Sequence, residues 1–181
     1  VITRVRVKIG SGTYERWVAV VGGGYSTTGD PNNAGYSAAA TAGRGLFLID
    51  IATGQLLARN VFGAASGQEP GMLYAIPSTP AVLDLDFDGF ADVIYVGDLG
   101  GNMWKWVVNA PGDDPVNDAM GDVTQPRWPF KKFFTAPSTV VGGSTFYKSI
   151  FYPPAATYVN KQLWLAWGTG ERTNLRFADP A

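Results

Sequence analysis

The stretch PAVLDLDFDGFADVIYVGDLGGNMWKW, which spans Pro80–Trp106, joins an acidic loop to two short apolar runs. The runs Asp92–Val96 and Asn102–Val108 are rich in β-branched and aromatic residues, and the glycine-containing segment Asp98–Gly101 separates them. Such runs on either side of a glycine turn are typical of paired β-strands, since glycine readily takes the positive φ that tight turns require. The stretch therefore predicts two strands joined by a turn, with a charged loop in front of them.

Short apolar runs bounded by turn residues recur along the whole chain, which has 23 glycines and 12 prolines in 181 residues. Almost no helical periodicity is present, so the pattern predicts an all-β fold. Ala52–Gly54 is predicted to be a hairpin turn. Five tryptophans on strand patterns are predicted to pack in the core: Trp17, Trp104, Trp106, Trp164 and Trp167. The predicted strands are Trp17–Val21, Gly45–Ile51, Gln55–Phe62, Asp92–Val96, Asn102–Val108 and Gln162–Trp167.

A weak repeat indicates how these strands are organised. Three of them end in a glycine-rich bend, and the first glycines of the bends are Gly22, Gly97 and Gly168. Repeated antiparallel units with glycine and aromatic punctuation suggest the blades of a β-propeller. The spacing exceeds the roughly 40–50 residues of one blade, so long loop insertions are expected at 22–44 and 109–129. Residues 1–181 are thus predicted to be a portion of one β-propeller domain, with a self-contained β-sandwich as the alternative.

The composition excludes several classes of function. The net charge is −1 and no Lys/Arg cluster occurs, which argues against a nucleic-acid partner. Cysteine and histidine are absent, so disulfides, thiolate or histidine metal sites and Ser-His-Asp catalysis cannot be built. No apolar run reaches the length of about 18 residues that a membrane span needs. We therefore expect a protein that is not an enzyme and does not span a membrane.

The acidic loop has the spacing D-x-D-x-D-G-x-x-D over residues 84–92. Like charges this close repel one another unless a cation neutralises them. Calcium prefers six to eight oxygen ligands from carboxylates, carbonyls and water, and Gly89 permits the sharp turn that wraps them around an ion. Asp92 would close the shell through one oxygen or both. The predicted calcium ligands are Asp84, Asp86, Asp88, the Phe90 carbonyl and Asp92.

The acidic residues are open to other interpretations. Position 12 of the loop is Tyr95, where an EF-hand requires glutamate, so the loop is a shorter variant. Magnesium is a weaker candidate because it demands tighter octahedral geometry. The alternative to any metal is an acidic solvated turn. A second acidic stretch lacks the alternating spacing and is predicted to be an exposed loop with at most weak ion binding: Asp113, Asp114, Asp118 and Asp122.

The acidic loop, followed by YVGDLGGNMWKW at 95–106, resembles the C-terminal β-propeller of the PilC/PilY family of type IV pilus tip-associated proteins. The similarity extends to VVGGGYS at 20–26, GLFLIDIATGQLL at 45–57 and WGTGER at 167–172. The resemblance implies an exported bacterial protein, located extracellularly at a pilus tip or outer-membrane surface. It also implies a calcium-binding adhesin that supports pilus assembly and opposes retraction when calcium is bound, with minor pilins or the tip complex as partners and host or surface ligands as further ones.

The sequence is compatible with two other functions. GLFLIDIATGQLLAR is similar to the repeat of quinoprotein propeller enzymes, but the tryptophan expected four residues after Thr53-Gly54 is Ala58, and the motif occurs once. A hairpin turn explains Thr53-Gly54 without a cofactor. The second alternative is a generic extracellular binding module, a propeller stabilised by calcium. A carboxylate hydrolase around Glu171 is disfavoured because no partner carboxylate can be identified.

Overall fold

The computed structural model describes residues 1–9, 12–65, 68–109, 128–160 and 162–172, and for residues 8 and 9 it describes the backbone alone. One short 3-10 turn, Thr27–Gly29, accompanies the strands. In the part of the chain thus described, no helix has the length and apolar character that crossing a bilayer would require. The strands are β1 (Ile2–Ile9), β2 (Gly12–Gly22), β3 (Gly45–Asp50), β4 (Leu56–Val61), β5 (Ala81–Leu83), β6 (Val93–Gly97), β7 (Asn102–Val107), β8 (Phe130–Thr135), β9 (Thr139–Val141), β10 (Ser144–Phe146), β11 (Ala155–Val159) and β12 (Gln162–Ala166).

The strands form two four-stranded sheets and two hairpins. The first sheet has the order β1-β2-β3-β4 and the second β5-β6-β7-β8, with every neighbouring pair antiparallel. The hairpins pair β9 with β10 and β11 with β12. Four antiparallel strands in chain order are the unit from which propeller blades are built, and two such units are too few for a closed ring. The prediction of an all-β, partial propeller is confirmed.

The two four-stranded sheets pack face to face through an apolar core. Val18 and Leu48 of the first sheet belong to the same buried cluster as Ile94, Val96 and Trp104 of the second. Because side chains alternate along a strand, the intervening residues of the second sheet point to its other face. Each fully buried side chain of this size stabilises the fold by about 1.5–3 kcal/mol relative to an exposed one, so this interface fixes how the sheets sit together.

The opposite face of the second sheet packs against the β11–β12 hairpin. Tyr95 and Met103 join Ile150 in a second buried cluster, and Leu163 and Leu165 of β12 cover it in part. The described strands therefore form three layers, with the second sheet in the middle. All five residues of β6 are buried, as expected for a strand that is covered on both faces.

The first predicted turn and the first predicted insertion are confirmed. Asp50 accepts hydrogen bonds through Oδ1 from the backbone N–H groups of Ala52 (2.8 Å) and Thr53 (3.1 Å), and Gly54 has a φ of 71°. The long segment between β2 and β3 is held by Arg44, which is buried and donates to the carbonyls of three residues: Thr28, Ser37 and Ala38. Most of the second predicted insertion, 110–127, lies outside the described residues.

The second predicted turn is built around the buried carboxylate of Asp98. This side chain accepts hydrogen bonds from the backbone N–H groups of Gly100 (2.9 Å) and Asn102 (3.0 Å), from the Asn102 side-chain amide and from Trp104 Nε1 (2.8 Å). Gly101 has a φ of 80°, and a Cβ there would lie 2.7 Å from the carbonyl oxygen of Lys148, so the turn requires glycine. Burial raises the pKa of Asp98 to about 6, against the opposing effect of its donors.

Two of the five core tryptophans were predicted wrongly. Trp104 and Trp106 are buried and Trp167 is partly buried, but Trp17 and Trp164 are 58% and 60% exposed. Trp17 alternates with the inward-facing Val18 and so lies on the outer face of the first sheet, while Trp164 lies on the outer face of the β11–β12 hairpin. A strand pattern shows that alternate residues share a face, but which faces are covered depends on how many layers the stack contains.

Asp98 makes the stability of the fold depend on pH. Because its folded-state pKa of about 6 lies above the usual value near 3.9, the folded state holds this proton more tightly than the unfolded chain. Its contribution to the free energy of unfolding is therefore greatest below pH 4 and is lost as the pH rises from 4 to 6. We expect the stability of the wild type relative to Asp98→Asn, measured by urea unfolding, to be greater at pH 4 than at pH 7. The same difference at both pH values would contradict this assignment.

Candidate metal centre

The acidic loop 84–92 connects the neighbouring antiparallel strands β5 and β6. At its neck the N–H of Asp92 donates to the carbonyl of Leu83 over 2.8 Å, which continues the strand pairing. The Asp92 carboxylate accepts a hydrogen bond from the N–H of Leu85. Asp92 thus joins the two ends of the loop, and the residues between them project from the end of the sheet.

Three of the predicted ligands lie together in this loop. Asp84, Asp86 and Asp88 each place one carboxylate oxygen within 4.8 Å of the others. Because calcium binds oxygen at about 2.3–2.6 Å, two oxygens on one ion can be at most about 5 Å apart, and the three aspartates meet that limit. An all-oxygen anionic set suits a hard cation such as calcium or magnesium. The cluster can therefore hold a metal ion.

Backbone N–H groups hold these carboxylates in place. The N–H of Asp88 lies 3.2 Å from Asp84 Oδ1 and 3.1 Å from Asp86 Oδ1, and the N–H of Gly89 donates to Asp84 Oδ2 over 2.8 Å. The N–H of Phe90 donates to Asp88 Oδ1 over 2.9 Å. Aspartate side chains that bond the backbone a few residues ahead stabilise tight turns. The carboxylates are therefore gathered by the fold of the loop itself, before any ion is considered.

Two residues of the loop have left-handed backbone geometry. Gly89 has a φ of 86°, which glycine adopts without strain and which confirms its predicted role in the turn. Phe87 has a φ of 63°, an uncommon value for a residue with a bulky side chain, and the residue is 83% exposed. Strain of this kind persists only where the surrounding contacts impose it, and here the aspartate hydrogen bonds on either side do so.

Basic residues of β1 lie against the loop, a feature that the sequence motif did not reveal. Arg6 donates to Asp88 Oδ2 over 2.8 Å, and its guanidinium lies 3.9 Å from the centre of the Phe90 ring. Arg4 lies over the same ring at 4.2 Å, and its carbonyl accepts a hydrogen bond of 2.8 Å from the N–H of Ala91. The Arg6 guanidinium, with help from the Phe90 N–H, holds the pKa of the Asp88 carboxyl below its usual range.

Two predicted ligands, Asp92 and the Phe90 carbonyl, lie outside the group of three carboxylates. Asp92 does not belong to the group of three carboxylates, since its side chain is bonded at the neck of the loop. The Phe90 carbonyl stays a predicted ligand. Phe90 is buried, and its N–H donates to Asp88.

The second acidic stretch lies outside the described residues: Asp113, Asp114, Asp118 and Asp122. Glu171 accepts a hydrogen bond of 3.2 Å from Asn32 Nδ2, a contact that fastens the long insertion.

The sequence of this chain is similar to that of known proteins. Residues 3–178 match the family described as the PilY1 beta-propeller domain. A type IV pilus biogenesis factor PilY1 homolog of Xylella fastidiosa is 36% identical over 104 residues, which are 55% of this chain and 6% of the relative. The type IV pilus biogenesis factor PilY1 of Pseudomonas aeruginosa is 32% identical over 102 residues, again 55% of this chain and 7% of the relative.

A solved structure resembles the chain over a longer stretch. The crystal structure of the Pseudomonas aeruginosa PilY1 C-terminal domain aligns with a TM-score of 0.48 and 21% identity, over 93% of this chain and 32% of that one. The aligned part of this chain therefore spans less than a tenth of the curated relatives and about a third of the solved domain.

The two left-handed residues of the loop should respond to substitution with opposite sign. Phe87→Asn replaces a strained residue by one that tolerates this conformation, so we expect it to raise the free energy of unfolding by about 0.5–1 kcal/mol. Gly89→Ala introduces strain and should lower it by about 1–2 kcal/mol, because an added Cβ would meet no atom closer than 3.9 Å and only the backbone is affected. Urea unfolding in the presence of a chelator measures both. A loss of stability in Phe87→Asn would show that the exposed ring makes a stabilising contact.

Proposed function

This chain belongs to the PilY1 beta-propeller domain family, and we propose that it is a calcium-binding propeller segment of a type IV pilus tip-associated protein that supports pilus biogenesis. The observation that carries the calcium assignment is the group of three aspartate oxygens within 4.8 Å of one another. The pilus assignment rests on the family and on the names of the relatives, which are type IV pilus biogenesis factors.

The proposed ion would be held by Asp84, Asp86 and Asp88, with the Phe90 carbonyl and Asp92 completing the ligand set. Bound there, calcium supplies positive charge that offsets the repulsion between carboxylates. Oxygen-only loops of this type span dissociation constants of about 10⁻⁷ to 10⁻³ M, and the weaker end suits extracellular calcium. The proposed location, outside the cell at the pilus tip or the outer-membrane surface, is supported by the relatives, which are type IV pilus biogenesis factors.

Calcium would act on pilus function through the acidic loop and the two strands beside it. The loop precedes β6, whose five residues are all buried, and Ala91 near its end is bonded to β1, an edge strand of the first sheet. An ion that orders the loop would stabilise both neighbours and fix the surface that they present. In the proposed mechanism, minor pilins or another component of the tip complex bind this surface differently with and without the ion, which alters adhesion and retraction.

The quinoprotein alternative has less support. Its motif centres on Thr53-Gly54, and the hydrogen bonds from Ala52 and Thr53 to Asp50 account for those residues as a hairpin turn. A generic calcium-stabilised binding module remains the second candidate, because the same aspartate cluster serves it equally well. Effects on piliation separate the two candidates, since only the pilus-specific function predicts them.

Calcium binding is tested by titration of chelator-stripped protein in a calorimeter. We expect one dominant site in the wild type. Asp86→Asn should abolish it or weaken it by at least tenfold, because a neutral amide replaces an anionic ligand. Glu69→Gln is the matched control, since it removes the same charge from a residue that is bonded to β4, at the opposite edge of the first sheet from β1, and should leave calcium binding unchanged. Absence of heat and of any thermal shift in the wild type at millimolar calcium would refute the site.

The pilus function is tested in a host strain that carries Asp86→Asn in the full-length protein. If calcium occupancy opposes retraction, the variant should show fewer surface pili and reduced twitching motility. Surface pili should then return when the retraction motor is also removed, because assembly itself is intact. The control strain carries Glu69→Gln. Normal piliation and motility in a variant shown not to bind calcium would favour a purely structural ion, as in the generic binding module.

A further inference from the structure

We propose that Arg6 is a built-in counter-cation of the aspartate loop, which neutralises Asp88 when the loop holds no metal and is displaced when a divalent cation binds. Arg6 thereby sets the metal affinity of the loop, and metal binding releases a contact between the loop and strand β1. The inference rests on the proposed function, because it concerns the calcium site assigned there.

The first support is the position of Arg6 within the cluster. Its guanidinium donates to Asp88 Oδ2 over 2.8 Å, and Asp88 is one of the three grouped carboxylates. Arg6 has no other acidic partner among the ion pairs of the described residues. A guanidinium bonded to one carboxylate of a group lowers the repulsion felt by all of them, as a metal ion would.

The second support is that both oxygens of Asp88 are already engaged. Oδ1 accepts from the N–H of Phe90, and Oδ2 accepts from Arg6. The Phe90 N–H belongs to the backbone of the loop and is fixed by its fold. Arg6 is a long side chain anchored on another sheet, so it is the partner that can move. A metal ion bound through Asp88 therefore competes mainly with Arg6.

The third support is that Arg6 has a second binding partner beside Asp88, the ring of Phe90. Its guanidinium lies 3.9 Å from the centre of the Phe90 ring, within the range of an attractive cation–π contact. An arginine released from Asp88 can turn its N–H groups away from the carboxylate while its guanidinium stays over this ring, so the hydrogen bond is lost and the ring contact is kept. The two positive charges repel at short range, and this repulsion favours the exchange of one for the other over joint occupancy.

Arg4 provides a matched comparison on the same strand. It carries the same charge, and its guanidinium lies over the same Phe90 ring at 4.2 Å. Its ion-pair partner, however, is Glu15 at 3.7 Å, which lies outside the loop. A substitution of Arg4 therefore changes the net charge and removes a ring contact as a substitution of Arg6 does, without freeing a carboxylate of the cluster.

The experiment is calcium titration by calorimetry of the wild type, Arg6→Gln, Arg6→Lys and Arg4→Gln. We expect Arg6→Gln to bind calcium about tenfold more tightly, and Arg4→Gln to stay within about threefold of the wild type. Arg6→Lys retains the competing charge and should resemble the wild type. In chelator, Arg6→Gln should melt at a lower temperature than the wild type, and calcium should raise its melting temperature by a larger amount.

The outcomes separate this inference from the calcium site itself. If neither the wild type nor Arg6→Gln binds calcium, the site is refuted and the role of Arg6 with it. If both bind with equal affinity, the site stands and the competition is refuted. Weaker binding by Arg6→Gln, in a variant whose circular dichroism matches the wild type, also overturns the proposal, because Arg6 would then hold Asp88 in position for the ion.

Discussion

The apolar interface between the two four-stranded sheets is the constraint from which the other features follow. Leu48 on one side and Ile94 and Trp104 on the other fix the distance and direction between the sheets. That placement brings the edge strand β1 beside the loop that precedes β6, so that Arg4 and Ala91 share a backbone hydrogen bond. The loop can then meet two arginines that belong to a different sheet. Without the interface, the aspartates would have no arginine beside them, and only solvent and the N–H groups of the loop itself would offset their repulsion.

Features that depend on neighbouring residues could be predicted from the sequence. The spacing of the aspartates predicted their grouping, and glycine at position 89 predicted the left-handed turn that gathers them. The turns at Ala52–Gly54 and Asp98–Gly101 follow from the same local chemistry. Strand β1 was missed although its charged and apolar residues alternate from Arg4 to Lys8, which is the pattern of a strand with one buried face; Val5 and Val7 are indeed buried.

Features that depend on distant residues could not be predicted. Arg6 is 82 residues from Asp88, and no local pattern links them. The exposure of Trp17 and Trp164 likewise depends on which sheet faces are covered, a property of the whole stack. Asp98 illustrates the same limit: its position in a turn was predictable, but the burial that raises its pKa to about 6 depends on the parts of the chain that cover the turn.

The contrast between short-range and long-range contacts in the acidic loop also bears on the order in which the chain folds. Hydrogen bonds within the loop join residues at most seven positions apart, such as Leu85 and Asp92, whereas the contact between Arg6 and Asp88 closes 82 residues of chain. Closing the longer segment is less favourable by about 2 kcal/mol of chain entropy. The loop and the β1–β2 hairpin can therefore each form early and alone, and their junction forms late. A cation present during folding would therefore reach the aspartates before Arg6 does. Folding kinetics would decide which of the two contacts the aspartates first, and their relative affinities would decide which one stays at equilibrium.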